Sequence, residues 1–268
     1  MLPTKYYYYF AAPKRRLEKI VIIPTYNERD NIVNIVRAVF SLNTGFHILV
    51  IDDGSPDGTA EIVKELQLQF SDSLFLEERK GKLGLGTAYI HGFKWALQKG
   101  YRFICEMDAD FSHNPADLDR LYHACKAEGA DLAVGSRYIK GGAVENWPWD
   151  RILLSKGASY YTRMILWMPV KDPTAGFVCY RRETLEAMNL DKITFVGYAF
   201  QIEMKFAAWK LHFKIQEVPI TFIDRKLGVS KMNKGIVKEG ILGVLKLRFM
   251  SLFKDYHRKI KNHDFASV

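Results

Sequence analysis

Tyr101-Arg102-Phe103-Ile104-Cys105-Glu106-Met107-Asp108-Ala109-Asp110 is a largely apolar run that stops on two aspartates. The run reads as a strand, and carboxylates gathered at its C-terminal end are placed to hold a divalent cation. Hard cations take oxygen ligands and share them with substrate phosphates, so an Asp-x-Asp at a strand tip suggests a metal-bridged nucleotide diphosphate. Two acidic residues in a loop are also what an ordinary solvated turn contains. A second acidic strand end strengthens the first reading: Ile51-Asp52-Asp53-Gly54-Ser55 follows the apolar His47-Ile48-Leu49-Val50. Two such ends in one parallel sheet face one crevice.

Outward from these ends, residues 19 to 134 alternate short β-branched runs with helical periodicity, the pattern of an α/β fold whose parallel sheet is covered by helices. Lys19 to Ile23 reads as the first strand, ended by Pro24, with Asp30 as the cap of a helix whose apolar face is Ile32, Val36, Val39 and Phe40. His47 to Ile51 is the second strand, Gly54 to Gly58 a tight turn, and Thr59 the cap of a second helix. Ser73 to Leu76 is the third strand. A helix through Gln98 follows the glycine-rich Gly81 to Thr87, and Asp131 to Val134 is the fifth strand.

Past Gly135 the alternation is lost. Residues 151 to 168 are helical in pattern, with Leu154, Ala158, Tyr161, Ile165 and Met168 on one face and Lys156, Ser159 and Arg163 on another. Thr174 to Tyr180 and Phe213 to Phe222 read as strands with a helix from Phe200 to Trp209 between them, and Lys234 to Phe253 is amphipathic and basic. The chain divides into a tail (1–17), an α/β domain (18–232) and a C-terminal basic amphipathic extension (233–268).

With 268 residues, 48% of them hydrophobic, the chain can bury a full core. A net charge of +9 suits nucleic acid, an anionic membrane surface or a phosphorylated substrate. Three cysteines, none in a C-x-x-C pair, argue against a disulfide scaffold or a zinc site and for a reducing, cytoplasmic compartment. No window of about 20 uncharged apolar residues is present, so neither a signal peptide nor a membrane-spanning helix is expected. The run Tyr6 to Phe10 suits either lipid headgroups or a loosely ordered tail.

Other motifs carry two readings each. Gly81 to Thr87 lacks the lysine of a Walker loop and the third glycine of a dinucleotide fingerprint, so it is either a flexible loop with Lys82 near phosphate or a structural turn. In Pro24-Thr25-Tyr26-Asn27-Glu28, a base can stack on Tyr26 and a ribose or ring nitrogen can bond Glu28, or the segment is a loop and a helix cap. Arg137, Arg151, Arg225 and Lys231 are ordinary surface residues one by one; together, downstream of two acidic strand ends, they make a phosphate-handling set.

The strings Val21-Ile22-Ile23-Pro24-Thr25-Tyr26-Asn27-Glu28, Ile51-Asp52-Asp53-Gly54-Ser55-Pro56-Asp57-Gly58-Thr59 and Met107-Asp108-Ala109-Asp110-Phe111-Ser112-His113 closely resemble those of the dolichol-phosphate (polyprenol-phosphate) mannose synthases, glycosyltransferases of family 2 with a GT-A fold. The likeness runs on through Lys82 to Tyr89, Gly135 to Tyr138, Gly197 to Glu203 and Asp224 to Lys231. It implies transfer of mannose from GDP-mannose to dolichyl or polyprenyl phosphate with inversion, on the cytosolic face of a membrane. A UDP-glucose donor is the nearest alternative. A non-catalytic nucleic-acid module is the alternative from another class, opposed by the acidic strand ends and the lack of a basic-aromatic motif.

Carried over by position, the resemblance places Pro24, Tyr26, Glu28, Ile51 and Asp53 around the nucleotide and Ala109 against the sugar nucleotide. Asp108 and Asp110 would meet Mg²⁺ or Mn²⁺ and the diphosphate. Ser112 stands where some relatives have Gln as a further ligand, a place that water can fill. Arg137, Arg151, Arg225 and Lys231 match residues that handle phosphates, Arg137 and Arg151 nearest the lipid phosphate. The membrane-spanning helices of some relatives are missing, so the chain resembles the soluble form, which works as a peripheral enzyme with a small membrane-bound anchoring partner.

Overall fold

The computed structural model describes residues 17–197, 199–224 and 234–257, with side chains of the last segment from Gly240 onward. The Tyr6 to Phe10 run, Arg225 and Lys231 lie outside the described residues.

The first half is a run of strand–helix units: β1 (Lys19–Thr25), α1 (Arg29–Ser41), β2 (His47–Asp52), α2 (Thr59–Gln67), β3 (Leu74–Glu78), α3 (Leu85–Lys99), β4 (Phe103–Glu106) and α4 (Asp117–Lys126). Then come β5 (Leu132–Ser136), β6 (Ala143–Glu145), α5 (Trp149–Leu166), β7 (Val178–Arg181), α6 (Arg182–Ala187), α7 (Ala199–Lys210), β8 (Ile215–Pro219), β9 (Thr221–Ile223) and α8 (Lys234–Met250). Seven strands form one sheet in the order β3-β2-β1-β4-β7-β5-β8, in which β7 alone runs antiparallel to its neighbours. β6 and β9 pair separately.

Helices on both faces explain why β1 is an unbroken β-branched run. Ile20 and Ile22 pack with α3 and α7 residues such as Phe93 and Phe200, while Val21 and Ile23 pack with Ile32, Ile35 and Val36 of α1. All four β1 side chains are fully buried.

Three local expectations are corrected. Pro24 does not end β1. The Ile22 carbonyl accepts from Met107 and the Thr25 carbonyl from Asp53, so the Pro24 nitrogen turns to the β4 side beyond the last β4 partner, where no ladder bond is lost. Asp30 lies inside the first turn of α1, whose N-cap is Glu28. Thr59 is the first residue of α2 rather than its cap; Asp57 accepts from the Thr59 amide at 3.0 Å and hydroxyl at 2.6 Å, and Gly58 makes the turn at φ +86°. A carboxylate two residues before the helix satisfies its first amide as well as a hydroxyl at the cap position does.

The apolar face read on α5 is covered only in part, with Tyr161 and Ile165 half-buried and Met168 buried. Leu154 and Ala158 are exposed, whereas Ser159, Thr162 and Leu166 are buried. α8 packs against α5 and α7, and Val244, Leu247 and Tyr256 join the same core as α3 and α7. No helix among the described residues is long and apolar enough to cross a membrane.

Candidate active site

Strand order fixes the site. β1 lies between β2 and β4 and all three are parallel, so the segments from Pro24, Asp52 and Met107 leave the sheet along one edge. Two of these exits contain a left-handed non-glycine residue, Asn27 (φ +58°) and Phe111 (φ +59°). An aromatic residue held there is strained, a condition that persists where surrounding structure enforces it and that clusters at functional sites.

On the β2 exit the two aspartates have separate tasks. Asp52 is buried and accepts from the Thr25 hydroxyl (2.8 Å), the Ser55 amide (2.8 Å) and the Ser55 hydroxyl (2.6 Å). It shapes the turn. Asp53 faces the glycine-rich loop: Arg79 Nε donates to it at 2.6 Å and the Leu83 amide at 3.2 Å. A Cβ on Gly54 would sit 2.9 Å from the Gly81 nitrogen, so the two loops touch backbone to backbone. Arg79 also reaches Thr87 (2.8 Å), and Lys82 Nζ lies 4.7 Å from the centre of the Tyr26 ring. The glycine loop is therefore tied to both strand exits. Its helix start is not an open anion site, because the Gly86 amide donates to the Val196 carbonyl at 2.9 Å.

On the β4 exit, Asp110 is buried and accepts from the Ser112 amide at 3.0 Å, while Asp108 is half-buried and accepts from the Tyr89 hydroxyl at 3.4 Å. Ser112 is buried, and its carbonyl accepts from Ile223. Ala109 and Ile51 are buried in the two cores, Pro24 and Tyr26 are half-buried, and Glu28 accepts from Asn31 Nδ2 at 2.9 Å. No group of three or more His, Cys, Asp or Glu side chains forms a metal cage among the described residues. Two carboxylates with a serine beside them are nonetheless a hard oxygen set of the kind that Mg²⁺ or Mn²⁺ completes with substrate phosphates and water.

Arg137 is nearly buried and held as a fork. Its Nε and Nη2 each donate to Asp172 at 2.7 Å, and Nη2 also reaches Thr174 at 2.8 Å. Burial alone would raise the Asp172 carboxyl, but the Arg137 guanidinium and its hydrogen bonds hold it below the usual carboxylate range. Arg151 donates through Nη1 to Asp224 at 2.7 Å and lies over the Trp147 ring at 4.0 Å. Arg151 Nε and Trp147 Nε1 are both buried without a hydrogen-bond partner. Edge-to-face ring contacts connect this pair to the β4 exit: the Phe222 ring centre lies 5.2 Å from that of Trp147 and 5.3 Å from that of His113. Burial pushes His113 down to about 4, which leaves it neutral near pH 7.

A groove of about 450 Å³ runs between α5 and α8. Arg151, Trp147 and Thr174 are in its wall with Leu154, Ala158, Tyr161, Ile202 and Ile241. It thus brings an apolar trough to Arg151 and to Thr174, which accepts from Arg137.

Sequence reasoning named Asp108, Asp110, Asp53, Arg137 and Arg151 but not the groups that hold them. Arg79, Tyr89 and Asp172 are the partners, and each lies 19 or more residues away from the group it orients. A second omission is the buried cluster under β4. Glu106 accepts from Gln201 at 2.5 Å, and Lys205 donates to Ala175 O and Gln201 Oε1. Burial pushes Glu106 up to about 7 and Lys205 down to about 8, and the two charges oppose those shifts in each other.

The model of glycosyl transferase family 2 matches residues 20–188. Polyprenol monophosphomannose synthase of Mycolicibacterium smegmatis is 50% identical over 84% of this chain and 84% of its own. Undecaprenyl-phosphate mannosyltransferase of Micrococcus luteus is 43% identical over 84% of this chain and 91% of its own. Among solved structures, glucosyl-3-phosphoglycerate synthase from Mycobacterium tuberculosis with Mn²⁺, UDP and glucosyl-3-phosphoglycerate superposes with a TM-score of 0.62, at 18% identity, over 87% of this chain and 80% of that one. The mannosyltransferase PcManGT from Pyrobaculum calidifontis with GDP-Man and Mn²⁺ gives 0.56, at 17% identity, over 92% and 67%. These two likenesses support a GT-A type fold.

Proposed function

The chain belongs to glycosyl transferase family 2, and from that membership and the site we propose that it transfers mannose from GDP-mannose to the phosphate of a polyprenyl or dolichyl phosphate. The observation that carries the acceptor half is the pair of unpartnered donors, Arg151 Nε and Trp147 Nε1, in the wall of an apolar groove. Buried N–H groups without an acceptor are costly, and an incoming oxyanion on an apolar chain would satisfy both. The named activities of the two curated relatives support the same acceptor class.

On the donor side, Tyr26, Glu28 and Asp53 would receive the nucleoside, with Asp53 already braced by Arg79. Asp108 and Asp110, with Ser112 or water, would hold Mg²⁺ or Mn²⁺ against the diphosphate. That ion would supply Lewis-acid neutralisation of the departing charge. Arg137 and Arg151 would offset the charge of the acceptor phosphate, and Asp172 keeps the Arg137 fork in one orientation. A phosphate monoester is ionised near neutral pH, so one of its oxygens can attack the anomeric carbon without a general base. The bond from that carbon to the diphosphate oxygen breaks, GDP leaves, and the configuration inverts.

The acceptor tail would bring the enzyme to a bilayer as a peripheral protein. Leu153 and Met164 of α5, Trp167 just past its end, and Leu242, Leu245 and Phe249 of α8 are exposed, as on an interfacial surface rather than a core. The test offers the purified chain a panel of labelled sugar nucleotides, GDP-mannose and UDP-glucose among them, with polyprenyl phosphate and Mg²⁺ or Mn²⁺. Label is expected in the organic phase from GDP-mannose, lost with chelator, and β-linked. Transfer from UDP-glucose alone, or an α-linked product, would refute the reading.

A further inference from the structure

α5 separates two cavities of opposite character. Across the helix from the apolar groove, Lys156, Ser159, Tyr160 and Arg163 close a second cavity of about 380 Å³ against Ile139, Gly142 and Lys171, with Arg137 and Tyr138 also in its wall. Three cations face it, Lys156, Arg163 and Lys171, and none makes an ion pair among the described residues. Nearby carboxylates do not neutralise them: Asp172 is occupied by Arg137, and Glu217 accepts from the amides of Lys171 (2.8 Å) and Asp172 (3.0 Å).

Two further observations point to an absent ligand. Ser159 is only 3% exposed and its hydroxyl has no partner, although a helical serine ordinarily bonds the preceding turn. Arg163 Nε is likewise buried without an acceptor. A guanidinium, two ammonium groups and a hydroxyl are complementary to a multi-oxygen anion of phosphate type. The volume exceeds by over tenfold the ~30 Å³ of one water, room for a headgroup around the phosphate.

We propose that this pocket is a second anion site, adjoining the acceptor site through the shared Arg137, which takes the phosphate of an anionic membrane lipid. The surface that continues from it along α5 decides for a lipid over a free ion. Tyr160 in its wall and Met164 one turn further lie on α5 and Trp167 is the left-handed residue that ends the helix; they are exposed by 67%, 53% and 72%, and Arg248 lies 4.3 Å over the Trp167 ring. Aromatic rings with basic partners sit at headgroup depth, which puts the pocket where lipid phosphates are. The inference rests on the reading that α5 lies against a bilayer and not on the identity of the transferred sugar.

The test measures binding of the full chain to phosphatidylcholine vesicles with and without phosphatidylglycerol. Arg163→Gln and Lys171→Gln are compared with Lys210→Gln, which removes one charge at the end of α7, outside the pocket. Each pocket variant is expected to weaken the phosphatidylglycerol-dependent binding roughly fivefold, the factor expected for one basic side chain at an anionic surface. Lys210→Gln should change it less, and binding to neutral vesicles should stay the same. Lys171 is exposed, so its variant reports even if Arg163→Gln fails to fold. Equal losses for all three variants would mean diffuse attraction and overturn the proposal. Inorganic phosphate that raises the wild-type melting temperature but not that of Arg163→Gln, without any vesicle difference, would reassign the pocket to a free oxyanion. A chain that shows the vesicle effect yet transfers no mannose would leave this site standing and defeat the proposed function instead.

Discussion

Around the β2 exit, buried polarity is settled inside the protein: Asp52 by Thr25 and Ser55, Asp53 by Arg79 and Leu83, Asp57 by Thr59. Around α5 the opposite holds, where Trp147 Nε1, Arg151 Nε, Ser159 Oγ and Arg163 Nε are buried without partners. The first region is acidic and braced in advance, which suits a donor whose own phosphates arrive with a cation. The second consists of donors lacking an acceptor and lies beside exposed apolar surface, which suits anions carried on lipid. Bracing in one half and unpartnered donors in the other are what the proposed reaction between a soluble and a membrane-held substrate would need.

The Arg137–Asp172 pair is where the α5 side is itself braced, and breaking it gives the largest expected effect. Asp172→Asn should cost about 3–5 kcal/mol in urea unfolding, because a buried guanidinium loses its countercharge. The same pair predicts the acid limit. Its carboxyl is lowered in the folded state, so its contribution is present above the unfolded carboxylate value and is lost as pH falls through the folded value. Wild type should therefore lose stability on acidification more steeply than Asp172→Asn does, as read from unfolding midpoints across pH.

Asp110→Asn probes the acidic half. It should leave the melting temperature close to wild type while reducing turnover by roughly 10²–10³-fold, in the range found for removing one preorganised electrostatic group. An unchanged rate would remove the Asp-x-Asp from the chemistry. Arg79→Gln loosens the glycine loop without touching the proposed metal ligands; it should raise the donor KM about tenfold, the value of one charge-assisted hydrogen bond, with a smaller effect on kcat. Smallest in the folded protein is Trp167→Ser, expected to shift stability by no more than about 0.5 kcal/mol because the ring is exposed. If α5 meets lipid, the same change should weaken vesicle binding, and equal binding would show that the exposed apolar face has another purpose.

How much was legible in the sequence differs between the halves for a physical reason. In β1, β2 and β4 each residue's environment repeats along the strand, so periodicity alone located the elements, and parallel pairing placed their acidic ends on one edge. The caps of α1 and α2 were misread because serine-like and aspartate side chains can satisfy a helix start from several offsets. On α5 two faces were read but not which of them meets the core, and the helix turns Leu154 and Ala158 outward and Ser159 inward. A periodicity shows that a helix has two faces and not which one meets the protein.

The order and chemistry of the strand ends were thus written in the sequence, since local propensity and alternation depend on near neighbours only. Tertiary structure alone decided which charges hold one another: Arg79 with Asp53, Arg137 with Asp172, Arg151 with Asp224. It also decided that α5 would divide an apolar groove from a cationic pocket. Such pairings join residues far apart along the chain, and their energy depends on burial, which exists only once the sheet and its helices have closed around them.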